Sequence, residues 1–301
     1  MNYKYFVVSI EIVSPISTPL LADTIWGHIC WGIKYYESEE SLKKFLKTYE
    51  TKTPELIISD AFFKNSLPVP MLTPFISEKL TKEQMKELKS KKKLKYISKD
   101  IFLTGNKISI NSLKPIDFKI IKTERLKNTI NRLTNTTREN GGLYEVEEIW
   151  FKDKDNVFEI YVISYLDKKE IFKYFNYGFS IGFGKDASTG KGIINVIDVK
   201  EINFPQSGKR AMALANFVPS EQDNIRDLYA EVFTKYGKLG GEFAINSNPF
   251  KKPIVMFKTG ATFSLEEKKF FVGTLLSDIH KNPDIKHYAF APIIYFEEEV
   301  V

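Results

Sequence analysis

The sequence predicts an α+β fold of two ferredoxin-like domains in tandem, and three observations carry that expectation. The first is element order. An apolar strand over residues 3–13, a helix running from Ile25 toward Tyr36 and a strand over 56–63 open the chain. A strand over 157–165, a helix over 168–180 and a strand over 193–202 come later, giving β-α-β-β-α-β with additions between the halves. The second observation is a glycine-rich loop, Gly182-Phe-Gly-Lys-Asp-Ala-Ser-Thr-Gly-Lys-Gly192, joining the last helix to the last strand. The third is a linker, Phe204-Pro-Gln-Ser-Gly-Lys209, after which a shorter α+β unit begins. The expected domains are 1–203 and 204–301, the first with insertions over about 64–130 and a hairpin over about 127–152.

The first strand is expected because Phe6, Val7, Val8, Ile10, Ile12 and Val13 are nearly continuous, and Pro15 and Pro19 break it. Asp23 or Thr24 can cap the helix that follows, with Ile25, Ile29, Trp31 and Ile33 as its apolar positions. Gly27 and Gly32 inside it each cost about 1 kcal/mol against alanine, which points to close approach of a sheet or a ligand backbone. A short helix over 41–49 precedes the strand at 56–63. Leu67-Pro-Val-Pro70 and Pro74 then leave regular structure. Residues 81–94 form a charged surface helix, and the loose alternation over 99–119 reads as an irregular hairpin.

Residues 127–144 are rich in Asn, Thr and Arg, and Asn140-Gly-Gly142 is a strong turn signal. The expected arms are 131–138 and 143–152. With so few apolar residues on its first arm, this hairpin reads as a projecting finger whose donors meet something polar. In the second unit a strand over 211–218 leads to a Ser220-capped helix with Ile225, Leu228, Tyr229, Val232, Phe233 and Tyr236 on one face. A hairpin over 253–264 and 269–276 and a strand over 287–296 complete the chain.

Net charge is +6, unevenly spread. Residues 78–127 hold fifteen Lys and Arg against six Asp and Glu, so the rest of the chain is slightly acidic. Such asymmetry points to an acidic polymer touching one region, or to a solvated lysine-rich helix. Cys30 stands alone, which excludes an intrachain disulfide and a thiolate cluster. No signal peptide or membrane-length apolar run is recognisable, so a soluble cytoplasmic protein is expected.

The glycine loop carries the chemistry. Gly182, Gly184 and Gly190 allow φ > 0, so successive N–H groups can form a nest for phosphate. Lys185 and Lys191 would add charge, and Ser188 and Thr189 donors. A P-loop is excluded, because five residues separate Gly184 from Gly190 and Gly192 stands where a hydroxyl is required. His28, His280 and His287 lack metal-ligand spacing, so neither a metal nor a cofactor is expected. His28 can be a general base on an RNA 2′-hydroxyl or a hydrogen-bonding residue of its helix.

Four stretches in order resemble one family of RAMP proteins: Leu20-Leu-Ala-Asp-Thr-Ile-Trp-Gly-His-Ile-Cys-Trp31; Ile58-Ser-Asp-Ala-Phe-Phe63 with Leu67-Pro-Val-Pro70; Asn131-Arg-Leu-Thr-Asn-Thr-Thr-Arg138 with Gly141-Gly-Leu-Tyr144; and the glycine loop. Together they look like subunit four of the Csm complex, the type III-A CRISPR effector of antiviral defence. The resemblance runs to about residue 200 and continues more weakly to the final strand. It implies a non-catalytic subunit that caps a ribonucleoprotein filament and holds the 5′ repeat handle of CRISPR RNA. Its implied partners are that RNA, the large signature subunit and the backbone subunit. By the same resemblance Asp23, Thr24, His28 and the glycine loop would cradle the handle. Asn131, Arg132, Thr134 and Arg138 would belong to a thumb that bends the guide.

Two rivals remain at this level. One is a RAMP endoribonuclease with His28 as base, although such enzymes carry their glycine loop near the C-terminus and here more than a hundred residues follow Gly192. The other is an interaction module without RNA contact.

Overall fold

The computed structural model describes residues 2–73, 81–91, 93–104, 107–138, 142–245 and 248–299. Pro74 and the Asn140-Gly141 turn lie outside them. β1 (Lys4–Ile12) leads into α1 (Ala22–Tyr36), α2 (Glu39–Glu50) and β2 (Leu56–Phe63). An insertion follows, with β3 (Ser66–Pro68), α3 (Lys82–Lys91), β4 (Tyr96–Ser98) and the single turn α4 (Asp100–Leu103). β3 pairs with β4, and the described residues of 99–119 contain no strand and so do not form the expected hairpin. They hold α4, a 3₁₀ turn at Ile110–Ser112 and extended chain, because their apolar side chains dock singly on the core.

β5 (Ile120–Asn128), β6 (Ile130–Asn131), β7 (Thr136–Thr137) and β8 (Leu143–Phe151) form the projecting hairpin. β9 (Val157–Ser164), α5 (Lys168–Ser180) and β10 (Ile194–Ile202) follow. The four long strands assemble in the order β10-β1-β9-β2, with every neighbouring pair antiparallel. That order follows when the two crossovers of a β-α-β-β-α-β chain place their helices on one face.

α1 and α5 cross tightly. A Cβ on Gly32 would lie 2.5 Å from the Tyr177 backbone, and one on Gly178 would lie 2.9 Å from Ile29. Gly32 therefore serves a helix contact rather than a sheet or a ligand, and Gly27 faces open space. Neither Asp23 nor Thr24 caps α1. Leu21 occupies the cap position without a side-chain bond, and Asp60 of β2 accepts from the Ala22 N–H at 2.8 Å. Burial pushes the Asp60 pKa up to about 7, and its second oxygen has no hydrogen-bond partner among the described residues.

The second half differs from expectation. β11 (Arg210–Ala213), β12 (Ile225–Tyr229), β13 (Val232–Lys235), β14 (Ile254–Phe257), β15 (Thr262–Leu265), β16 (Phe271–Leu276) and β17 (His287–Phe296) are all strands. Five of them form an antiparallel sheet in the order β12-β15-β11-β17-β16, and β13 pairs with β14. The helix expected after Ser220 is absent. Ser220 caps one 3₁₀ turn, and Asn224 at φ 49° turns the chain into β12. Tyr229 and Phe233 are four apart, a spacing that satisfies both the helical and the strand period, and the β-branched and aromatic content decides for strands. Without an α-helix among its described residues, this half lacks the two helices of a ferredoxin-like unit.

One buried cluster joins both halves. The Tyr288 hydroxyl of β17 accepts from the Ile58 N–H at 2.7 Å and donates to the Ile58 carbonyl at 2.9 Å, while its ring stacks on Trp26. Among the described residues no helix is long and apolar enough to cross a membrane.

Asp60 sets a pH dependence whose sign is fixed. An unfolded aspartate titrates near 3.9, so raising the folded value to about 7 means that the folded chain holds this proton more tightly. The resulting stabilisation is complete below about pH 4 and lost as pH rises through 7. Asp60→Asn keeps the acceptor for Ala22 and should remove a fall on the order of a few kcal/mol between pH 5 and 8, measured by urea unfolding.

Candidate nucleic-acid interface

The glycine loop is held to the body by its own backbone. Gly182, Gly184, Gly190 and Gly192 all have positive φ, between 66° and 86°. A Cβ on Gly184 would meet Thr18 at 2.5 Å, and one on Gly192 would meet the Phe183 carbonyl at 2.1 Å. The Gly184 N–H donates to His28 Nε2 at 3.1 Å, and the Lys185 N–H to Thr18 Oγ1 at 2.8 Å. The N–H groups of Gly182, Gly190 and Gly192 donate to the carbonyls of Phe179, Ala187 and Pro15. The glycines thus spend their donors inside the fold.

Three consecutive donors are left. Asp186 adopts a left-handed conformation (φ 66°, ψ 17°) and opens a 3₁₀ turn at Ala187–Thr189. The N–H groups of Asp186, Ala187 and Ser188 have no hydrogen-bond acceptor among the described residues. Successive N–H groups at such a reversal form an anion-binding concavity. Ser188 is exposed beside it, as is Lys185, whose ammonium has no ion pair among the described residues. The Thr189 hydroxyl is turned back to the Asp186 carbonyl.

Lys191 is not a surface cation. It is buried and pairs with Glu148 at 2.8 Å and Asp186 at 3.3 Å. Lys127 reaches Asp186 at 2.9 Å, and Arg125 reaches Glu148 at 3.3 Å. Three cations and two carboxylates therefore join the hairpin to the loop, and their sum is positive. Lys191 holds the Glu148 carboxyl below its usual range, and Lys127 does the same for Asp186. Burial works against the charge on Lys191, yet Glu148 and Asp186 raise its pKa. With Asp186 so neutralised, its carboxylate does not repel an anion at the neighbouring N–H row.

His28 lies against the loop, as its position after Gly27 allowed, but in an acceptor role. Burial pushes its pKa down to about 4, so the ring is neutral, accepts at Nε2 and holds its hydrogen on Nδ1, which is enclosed without a partner. Its ring packs on Phe183. Asp23 is turned inward, paired with Lys235 at 2.8 Å and 3.6 Å from His287 Nε2, and the Thr24 hydroxyl donates to it. Asp23 and Thr24 are therefore engaged with each other and with Lys235, and present no free donor.

The hairpin is longer than expected, and its first arm is β5 rather than residues 131–138. Those residues form the tip. Asn131 Oδ1 accepts from the Leu133 N–H, Thr134 bonds Thr136, and Asn135 turns the chain at φ 52°. Arg132 and Arg138 are exposed, and their guanidinium groups have no ion pair among the described residues. In the sequence Asn140-Gly-Gly142 dominates the turn signal, while the alternation in Ile120–Asn128 is of charge more than of hydrophobicity. Arg125, Lys127, Asp186 and Glu148 are the residues that sequence reasoning left out. The charges in the two arms mark the three of them that lie on the hairpin, and Asp186 stands in the glycine loop itself.

No family model matches the sequence, and neither does any curated protein. Solved structures do match in fold. A chain of the Csm1-Csm4 cassette in complex with AMPPNP superposes with a TM-score of 0.60 at 15% identity, over 98% of this chain and 99% of that one. A chain of the Csm3-Csm4 subcomplex in the type III-A CRISPR-Cas interference complex does so with a TM-score of 0.58 at 15% identity, over 97% and 99%. The likeness therefore runs over nearly the whole length of this chain. Among the described residues no group of His, Cys, Asp and Glu side chains is arranged to hold a metal ion.

The two loop lysines should behave differently. Lys191→Ala takes from the buried Glu148 carboxylate the nearer of its two cations and should cost about 3 kcal/mol in denaturant unfolding, whereas Lys185→Ala should leave stability unchanged within about 0.5 kcal/mol.

Proposed function

We propose that the chain is a non-catalytic capping subunit of a type III-A CRISPR effector ribonucleoprotein. It corresponds to Csm4, the subunit that the two structurally similar assemblies have in common by name. The observation that carries this reading is the whole-length likeness of fold to chains of both assemblies. In this role it binds the 5′ repeat handle of CRISPR RNA and joins the large subunit to the backbone filament.

The chemistry of the loop supports the RNA part. A splayed single strand needs phosphate sites and donors on a positive background. The N–H row of Asp186, Ala187 and Ser188, the Ser188 hydroxyl and Lys185 supply one phosphate site. Arg132 and Arg138 supply cations at the hairpin tip, where a strand passing between loop and tip would meet them. Lys191, Asp23 and Thr24 act behind this surface, as does His28.

The nuclease reading requires His28 to take a proton from RNA. Its Nε2 lone pair is occupied by the Gly184 N–H and its Nδ1 is enclosed, which favours a positioning role.

The test is gel retardation with 5′-handle RNA and a scrambled-handle control, run with the chain alone and with its large partner. Handle-dependent retention without cutting is expected. Replacing Lys185, Arg132 and Arg138 together by alanine should weaken binding and lower the salt slope by about 2, at about 0.7 per single-strand phosphate contact. Specific cutting by the chain alone, lost in His28→Ala, would overturn the non-catalytic reading.

A further inference from the structure

Strand register divides the hairpin into two chemically different faces. Thr123, Arg125 and Lys127 stand opposite Glu148, Val146 and Tyr144, and the ion pairs of this face point it at the glycine loop. The intervening pairs, Glu124 with Glu147, Leu126 with Glu145 and Asn128 with Leu143, must lie on the other face. All six are exposed, Leu126 to 67% and Leu143 to 62%.

This outward face runs against the charge of the chain. It carries three glutamates and one cation, Lys122, which pairs with Glu147 at 2.6 Å, on a molecule of net charge +6. Glu124 and Glu147 stand directly across from each other, an arrangement that destabilises an isolated pair of strands. The two leucines sit among these acids in water. Cations brought from outside would relieve the repulsion, and an apolar side chain between them would cover the leucines.

We propose that this face docks a basic protein surface, with lysines or arginines ringing an apolar side chain, on a neighbouring subunit of the assembly. RNA does not fit it, because phosphates would add to the repulsion. The hairpin thus separates its ligands, with the inner face and tip toward RNA and the outer face toward protein. The proposal rests on the assembly reading above.

The test uses the full chain with the large subunit and the backbone subunit, each purified separately, and 5′-handle RNA as the control ligand. Affinity is measured at low and moderate salt for wild type, Glu124→Lys/Glu147→Lys and Leu126→Ser. The charge reversal should weaken binding to one of the two subunits by about tenfold or more and abolish its salt dependence, with handle affinity unchanged or tighter. Leu126→Ser should weaken the same subunit and no other ligand. If wild type binds a subunit and both variants bind it equally well, the docking face is wrong and the assembly reading stands. Loss of handle binding on charge reversal would place RNA on this face and also overturn the proposal. If wild type binds neither subunit, the assembly reading fails and this inference fails with it.

Discussion

The ion cluster around Lys191 is the interaction on which the candidate site depends. A hairpin that projects from a body has little apolar surface with which to fix its direction. Its base is tied to the body by the paired backbones of Ile16 and Ile149 and by Phe151 on the core, and charge adds a second tie, with Glu148 on the hairpin and Asp186 in the loop sharing the buried ammonium of Lys191. Breaking such a cluster by removing one member leaves another charge without compensation, so the arrangement is all-or-none. The same cluster frees the N–H row at Asp186, because the carboxylate nearest to it is already answered by two lysines.

Behind the cluster the body is organised to hold the loop still. Glycine is required at 184 and 192 because neighbouring atoms leave no room for a side chain, and the N–H groups released there are taken by His28 and Pro15. The loop is therefore rigid where it meets α1 and open where it faces solvent. A ligand binding there pays little for ordering the backbone.

Much of the first half was legible in the sequence. β2 and α5 fall where the apolar patterns put them. The loop glycines were legible as positive-φ positions, since few other residues tolerate that conformation. The burial of Lys191 was not legible, because its carboxylates come from residue 148 of another element and from an aspartate that reads as solvated. The Ser220 helix failed for a different reason. Its face residues obey two periods at once, and only the sheet that β12 joins decides between them. The capping of α1 by Asp60, across 38 residues of chain, leaves no local trace at all.

The position of β17 has a consequence for how the molecule is made. This strand comes after every other in sequence, yet it lies between β11 and β16 and closes the exposed backbone of Ile58 on β2 through Tyr288. During synthesis from the N-terminus the first sheet is complete some eighty residues before that cover arrives. Until then β2 presents an open edge and a row of apolar side chains to solvent. Folding of this chain is thus finished by its final strand, and ribosome pausing within the second half would lengthen the period of greatest aggregation risk.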